Sequence, residues 1–361
     1  MARLRLAVVG VGHLGKEHAR ILAAMPEAEL VGVADVNADQ ARAVAGRCGT
    51  RAFADYWPLL NLVDAAVIAV PTTHHHAIAA EFLRRGIPLL VEKPLAATPE
   101  QAASLVELAR SHGTFLQVGH IERFNPAFAE LEGRPLQPKY VACERLGPFS
   151  GRSTDIGVVL DLMIHDLDLL RALVRAPVRS VEAIGVSVFG GHEDMANARL
   201  VFANGCVASV TASRASPATQ RRMHVWAPEG YAGLDFARRH LTLVQPTEEL
   251  RSLDARRLDP PALGLLKEQL FGRHLQVLEL DRREGDPLTA ELEDFVRCVR
   301  TGCRPRVSGE DGHDAVALAA RVLESIRSHS WDGRAGGPTG PGQLPAPLGP
   351  LFHPAKGGAA A

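Results

Sequence analysis

A chain of 361 residues exceeds what one hydrophobic core ordinarily organises and suits two domains with accessory segments. Charged residues make up 22% and the formal net charge is -1, so no basic field exists to hold nucleic acid or anionic lipid; small soluble partners are favoured over nucleic acid or membrane. The cysteines (Cys48, Cys143, Cys206, Cys298, Cys303) are odd in number and scattered without a C-x-x-C pair, which argues against a disulfide framework or thiolate zinc site and for reduced thiols in the cytoplasm.

The opening "MARLRLAVVGVGHLG" sets two arginines beside an apolar run, as a secretory signal does. The run is short, glycine-broken and lacks a cleavage site, so a first strand explains it better. No stretch approaches the roughly 18 continuous apolar residues of a membrane helix. "LRLAVV" (4–9) meets Gly10, Gly12 and Gly15 before the helical "KEHARILAAM", and a second strand, "AELVGVAD", ends at Asp35, twenty residues past Gly15. A G-x-G-x-x-G alone is weak, but a strand before it and a helix after it strengthen the reading. Gly10 permits the tight turn, Gly12 lets the backbone approach a pyrophosphate, and Gly15 allows close helix packing, with His13 and Leu14 inside the loop. The phosphates then face the helix N-terminus, whose unpaired N–H groups favour anions. Asp35 suits ribose hydroxyls and repels a 2′-phosphate, and Val36 and Asn37 add no cation, so NAD is expected rather than NADP.

The alternation continues through "DAAVIAVP" (64–71), the helix "HAIAAEFLRRG", the strand "PLLVE", a helix from Pro99 to about His112 and the strand "FLQVG" (115–119). This predicts an α/β domain over 1–122 on a doubly wound parallel sheet. From about residue 138 come "KYVACERL", a helix over 157–173 and six strand-like runs: "SVEAIGVSVF", "NARLVFANG", "CVASVTASR", "RRMHVWAP", "GLDFA" and "HLTLVQ". Short turns join most of them, which predicts a second α/β domain, 123–330, on a large, mainly antiparallel open sheet. Residues 246–286, with Pro260 and Pro261, read as a charged insertion without legible shape. Helices within about 287–328 are expected to pack back on the first domain, and the Gly/Pro/Ala-rich 333–361 to be a disordered tail.

Three stretches carry candidate chemistry. "TTHHHA" (72–77) invites a metal, but its spacing does not bring all three histidines onto one helical face, so a loop and helix start beside the cofactor is preferred. In "VVLDLMIHDLDLL" (158–170), Asp161 and His165 stand four apart and share a helix face. They read as acid/base groups ahead of an exposed Asp/His pair or a metal site completed by Asp168, and no metal is expected. "IPLLVEKPLAAT" (87–98) ends a strand in Glu92, Lys93 and Pro94, at the carboxyl edge where parallel sheets form their ligand crevice.

Gly10 to Gly15, Asp35, Pro71 with His75, the E-K-P of 92–94 and "LDLMIHDLD" (160–168), in this order across about 4–328, resemble the glucose-fructose oxidoreductase/inositol dehydrogenase/MocA family. The resemblance implies a Rossmann domain followed by an α/β domain whose open sheet has a substrate-facing side and often a dimer-forming side, hence a homodimer or homotetramer. It implies a catalytic Lys93, with Asp161 and His165 from the D-x-x-x-H pattern, and a backbone kink, often a cis peptide, before Pro94. Glu92 would hold or tune Lys93 and, with Pro71 and His75, line the cofactor.

"GHIERFNPAF" (119–128) is similar to the version in UDP-N-acetylglucosamine 3-dehydrogenases and related nucleotide-sugar enzymes rather than to the "GFMRRFDP" type of inositol dehydrogenases. The expectation is NAD-dependent oxidation of a secondary alcohol to a ketone, most specifically C3 of UDP-N-acetylglucosamine, with Lys93 or His165 taking the proton and Asp161 orienting the base. By kinship, the keto product would pass to an aminotransferase making a 2,3-diamino sugar for lipid A. Arg123, Asn125, Arg214 and Arg222 are the expected substrate contacts, although Asn125 before Pro126 also suits a helix cap. A dehydrogenase of free sugars or inositols would share every catalytic residue. An NAD-binding regulator without turnover is the reading from another class, against which the presence of Lys93, Asp161 and His165 speaks.

Overall fold

In the computed structural model, which describes residues 2–149, 151, 156–189, 191–282, 285–334 and 336–341, the chain divides into two units, Met1–Phe124 with Gly285–Ala320 and Asn125–Glu284 with Arg321–Ala361. The first unit opens with β1 (Leu4–Val9), α1 (Gly15–Ala24), β2 (Ala28–Ala34), α2 (Ala38–Cys48), β3 (Arg51–Phe53) and β4 (Ala65–Ile68), and continues with α3 (Thr72–Leu83), β5 (Leu89–Glu92), α4 (Pro99–Ser111) and β6 (Leu116–Gly119). All six strands are parallel, in the order β3-β2-β1-β4-β5-β6. β4, β5 and β6 are buried along their whole length, as a sheet covered on both faces demands. The strand order reverses between β1 and β4, and the ligand crevice of such sheets opens at the carboxyl ends there. β3, which the sequence reading passed over, is a three-residue edge strand with two exposed residues, too short for a periodic signal.

Local chemistry sets the boundaries. The Asn37 side chain accepts the Asp39 and Gln40 amides at the start of α2, and Gly49 (φ 64°) ends it; Thr98 and Pro99 start α4 in the same way. The core joins Leu6, Val8, Leu22, Val67 and Leu90 to Leu292 and Phe295, which lie more than two hundred residues further on.

The second unit contains α5 (Pro126–Glu132), β7 (Tyr140–Leu146), α6 (Ile164–Val174), β8 (Val178–Val186), β9 (Met195–Phe202), β10 (Val207–Ser213), β11 (Gln220–Ala227), β12 (Gly230–Asp235) and β13 (His240–Pro246). The expected insertion has structure: α7 (Glu248–Ser252), α8 (Pro260–Glu268) and β14 (Leu275–Asp281), the last pairing antiparallel with β13. α9 (Pro287–Thr301) belongs to the first unit, where α10 (Gly309–Ser328) also begins. The eight-stranded sheet runs β14-β13-β12-β11-β7-β10-β9-β8, antiparallel except where β7 lies parallel to β10. Consecutive strands therefore do not pair throughout: β7 separates β10 from β11. One face is apolar, with Val141, Cys143, Ala208, Val210, Met223 and Val225, and α6 packs over β10 on that side.

Two further expectations need correction. The helix over 157–173 is not continuous α-helix, since Val159–Met163 form a π-turn before α6 starts at Ile164. At the start of the expected tail, Thr339 bridges Ser330, and the Trp331 indole N–H donates to the Gly340 carbonyl at 3.0 Å. The remainder of that tail, 342–361, lies outside the described residues.

Candidate active site

The glycine loop is shaped by contacts no other residue would permit. Gly10 has φ +82°, and a Cβ on Gly15 would fall 1.8 Å from the Gly10 carbonyl oxygen, whereas a Cβ on Gly12 would meet nothing within 4 Å. Asp35 Oδ2 accepts the Val11 amide at 2.8 Å and Oδ1 the Asn37 amide at 2.9 Å, while the Gln40 side-chain amide donates to the Val11 carbonyl at 2.8 Å. Val11 is thus clamped on both sides by the β2–α2 junction. His13 and Leu14 are exposed at the mouth of α1. Open space over Gly12, a helix N-terminus and a carboxylate with lone pairs to spare fit the pyrophosphate and ribose of a dinucleotide.

At the end of β5 the Lys93–Pro94 peptide is cis. His75 is 1% exposed, with Nδ1 2.9 Å from the Pro94 carbonyl oxygen and Nε2 2.8 Å from that of Val70. Burial holds its pKa below the ordinary imidazole value despite these carbonyls. Both nitrogens face the backbone, so His75 braces the E-K-P turn and has no nitrogen to offer a cofactor. Pro71 is exposed at the start of α3.

Glu92, expected to hold or tune Lys93, turns into the core toward α1. It is buried, with Oε1 2.7 Å from His18 Nε2 on α1 and Oε2 3.3 Å from the Lys93 amide nitrogen. Burial pushes its carboxyl upward, but the His18 hydrogen bond and the charges of His18 and Lys93 outweigh this and leave it below the usual range. Lys93 itself is half-buried. His120, just past β6, is driven down to about 3 by burial and then by the Lys93 and Arg123 charges, so it is neutral. Arg123, in the turn Ile121–Phe124, is 8% exposed and reaches the Arg306 carbonyl at 3.5 Å.

In the second unit, Asp161 lies in the π-turn and His165 in the first turn of α6, both half-buried. The π-turn alters the four-residue spacing that was to align them, and such turns recur at functional sites. Glu193 Oε1 anchors the segment by accepting the Val159 amide at 3.1 Å. Beneath it, Arg145 grips Asp166 at 2.9 and 3.0 Å with both side chains buried. Asp168 is 2% exposed.

Three expected substrate contacts sit differently. Asn125 caps α5 through the Ala127 amide and donates to the Phe236 carbonyl at 3.1 Å, so its side chain is engaged in the fold. Arg214 is buried against Asp194 at 2.6 Å, and Asp194 also accepts the Val188 and Phe189 amides. That charge is met internally. Arg222 pairs in register with Glu144, whereas Arg221 pairs with Arg145 and Met223 with Cys143. Directly opposed residues share a sheet face, which puts Arg221 on the face that packs α6 and Arg222 on the other. His18, Gln40, Glu193 and Glu291 are the polar groups that the sequence reading did not assign, whereas Arg221 was read beside Arg222 as a cation for a diphosphate. Among the described residues, the one group of potential metal donors within 4.8 Å of one another is His18, Glu92 and Glu291; neither the 74–76 histidines nor Asp161, His165 and Asp168 form such a group.

Comparison with known proteins agrees with this geometry. A family model described as "Oxidoreductase family, NAD-binding Rossmann fold" matches residues 4–120, and the "GFO/IDH/MocA C-terminal domain" matches 137–232. The chain is 35% identical over 329 residues to UDP-N-acetylglucosamine 3-dehydrogenase of Acidithiobacillus ferrooxidans, covering 91% of this chain and 99% of the relative. It is 27% identical over 348 residues to scyllo-inositol 2-dehydrogenase (NAD(+)) of Bacillus subtilis, covering 90% and 95%. The solved structure of the Acidithiobacillus ferrooxidans enzyme superposes with a TM-score of 0.80 at 34% identity, over 90% of this chain and 98% of that one. A levoglucosan dehydrogenase in complex with NADH shares the fold, with a TM-score of 0.75 at 20% identity over 90% and 97%.

Proposed function

Because the chain belongs to the Gfo/Idh/MocA family of NAD-binding oxidoreductases, we propose that it oxidises a secondary hydroxyl of a nucleotide sugar to a ketone, at C3 of UDP-N-acetylglucosamine. The observation that carries this is the end-to-end match to an enzyme of that activity in a chain whose β5 ends in the cis-prolyl E-K-P turn. NAD, when bound, accepts the hydride released from the sugar carbon. The Gly10–Gly15 loop and the start of α1 hold its pyrophosphate, and Asp35 takes the ribose hydroxyls on lone pairs left over from Val11 and Asn37. Lys93 and His165 are the two groups able to take the hydroxyl proton, Asp161 orienting the base; the pH dependence of kcat in Lys93→Ala and His165→Ala separates them. Arg221, exposed on the α6 face, is the cation for the diphosphate in place of Arg222. The sheet face bearing the exposed Tyr140 and Trp226 joins protomers into a homodimer or homotetramer, measurable by light scattering. No helix among the described residues is long and apolar enough to cross a membrane. What supports a cytoplasmic reaction is its need for NAD and a UDP-sugar, both supplied in that compartment.

The test is NADH absorbance with UDP-N-acetylglucosamine, free N-acetylglucosamine and inositols side by side. Preferential turnover of the UDP-sugar is expected. Faster oxidation of an inositol would transfer the chain to the inositol dehydrogenase branch, and no turnover of any alcohol would favour a regulator.

A further inference from the structure

Three titratable side chains converge in the core of the first unit behind Lys93. His18 comes from α1, Glu92 from the end of β5 and Glu291 from α9, with donor atoms all within 4.8 Å of one another. His18 and Glu291 are wholly buried and Glu92 is 7% exposed. His18 Nε2 satisfies Glu92 Oε1 at 2.7 Å. Glu291 has no such bond: no donor reaches either carboxyl oxygen. Beside it, Gln117 donates its Nε2 to the Glu291 backbone carbonyl at 3.0 Å and keeps Oε1 without a partner. A buried carboxylate with no donor is strongly disfavoured, and a second one this close to Glu92 more so. His18 Nε2 serves Glu92 and no donor serves Glu291, so Glu291 is the carboxyl that must carry a proton.

We propose that Glu291 is a positioning residue, a buried neutral acid that donates its proton to the Glu92–His18 pair and so fixes the strand end carrying Lys93. The other titratable and charged groups around the cluster are Lys93 just past β5, His75 on α3, Asp294 on α9, and His120 past β6. Burial first, then the Glu92 and Asp294 charges, raise the Glu291 carboxyl well above its ordinary range, while Glu92 remains below it. Glu92 transmits the restraint. Its Oε2 receives the Lys93 amide at 3.3 Å, and a Cβ on Gly119 would sit 3.0 Å from that same oxygen. Wedged between β5 and β6, this carboxylate cannot shift without moving the Lys93 peptide. The inference rests on the reading of Lys93 as a reacting group.

Difference infrared spectra of the full chain with NAD, parent minus Glu291→Gln, read the proton directly. A protonated-carboxyl stretch present at neutral pH in the parent, shifted in D2O and lost in the variant, is expected; its absence overturns the proposal. Elemental analysis of the same samples showing a stoichiometric divalent ion also overturns it, because both carboxylates would then be ionised ligands. Positioning is read in the kinetics. Glu291→Met keeps the volume without a donor and should lower kcat roughly 10- to 100-fold with little change in NAD affinity, while Glu291→Gln, a neutral donor of the same shape, should restore most of it. Parental kcat in the Met variant, or equal impairment in both, overturns the role. The infrared signal needs no sugar, so an enzyme that turns over no UDP-sugar would refute the proposed substrate while leaving the proton test intact.

Discussion

Gly12 and Gly15 lie three residues apart in one loop, yet substitution by alanine should separate stability from cofactor affinity. A Cβ on Gly15 would sit 1.8 Å from the Gly10 carbonyl oxygen, whereas ordinary contact begins at 3.4 Å, so the β1–α1 loop must open by about 1.6 Å. Overpacking of that kind costs about 1–3 kcal/mol. At roughly 2–4 °C per kcal/mol for a domain of this size, Tm should fall by roughly 2–12 °C. The same opening displaces the anion-binding loop, so NAD affinity falls too. A Cβ on Gly12 meets nothing within 4 Å, and its backbone is outside the left-handed region. Gly12→Ala should therefore keep or slightly raise Tm, by up to about 1 kcal/mol through the stiffer unfolded chain, while the methyl group occupies the space a pyrophosphate needs. A tenfold or greater loss of NAD affinity, about 1.4 kcal/mol or more, should follow. Differential scanning fluorimetry without cofactor and calorimetric titration with NAD measure the two effects. Parental NAD affinity in Gly12→Ala, or parental Tm in Gly15→Ala, would refute the reasoning.

Lys93→Ala should retain NAD binding by calorimetry but lose roughly 10²–10⁴-fold in kcat, and near-parental turnover in the folded variant would remove Lys93 from the chemistry. Arg214→Ala strands the Asp194 carboxylate, which is 0% exposed, and should cost about 3–5 kcal/mol in urea unfolding. Arg221→Ala should leave stability within about 0.5 kcal/mol and raise KM for UDP-N-acetylglucosamine by roughly 10- to 150-fold, a charge-assisted hydrogen bond's worth; an unchanged KM would return the diphosphate to another cation. His120 sets an acid limit: its folded value is about 3 against about 6.5 unfolded. The stability it contributes is present above pH ~6.5 and is lost as pH falls toward 3, by up to about 1.4 kcal/mol per pH unit. Tm measured against pH should show a shallower acid slope in His120→Gln, and identical slopes would assign acid sensitivity elsewhere.

Much of the first unit was legible because its signals are local. The apolar run at 4–9, the glycines at 10, 12 and 15, and the helical period after them fall where β1, the loop and α1 are found. Lys93 was legible because a strand that ends in a charged pair and a proline breaks its own pattern. What stayed hidden depends on partners distant in sequence. Nothing in "YVACERL" says that β7 lies parallel to β10, and a one-residue difference in parity moved the exposed arginine of the α6 face from 222 to 221. The π-turn at 159–163 has no compositional mark. Glu291 did leave a trace: within "PLTAELEDF" it occupies the apolar stripe of Leu288, Leu292 and Phe295, where an acid needs a reason to be.

The discontinuity of the first unit also sets a timetable for synthesis. Leu22, Val33 and Val67 emerge from the ribosome long before Leu292 and Phe295, the residues that close the same core. The stretch 125–284, which belongs to the other unit, is made in between, a wait of roughly 8–30 s at the usual pace of translation. Over that interval the nascent parallel sheet carries an uncovered apolar flank, and the His18–Glu92 pair stands without Glu291. The sheet can begin to form as its strands appear, but its core is complete only after α9 has left the exit tunnel. A chain truncated before residue 285 would therefore contain every strand of the nucleotide-binding sheet and still expose the surface that chaperones recognise.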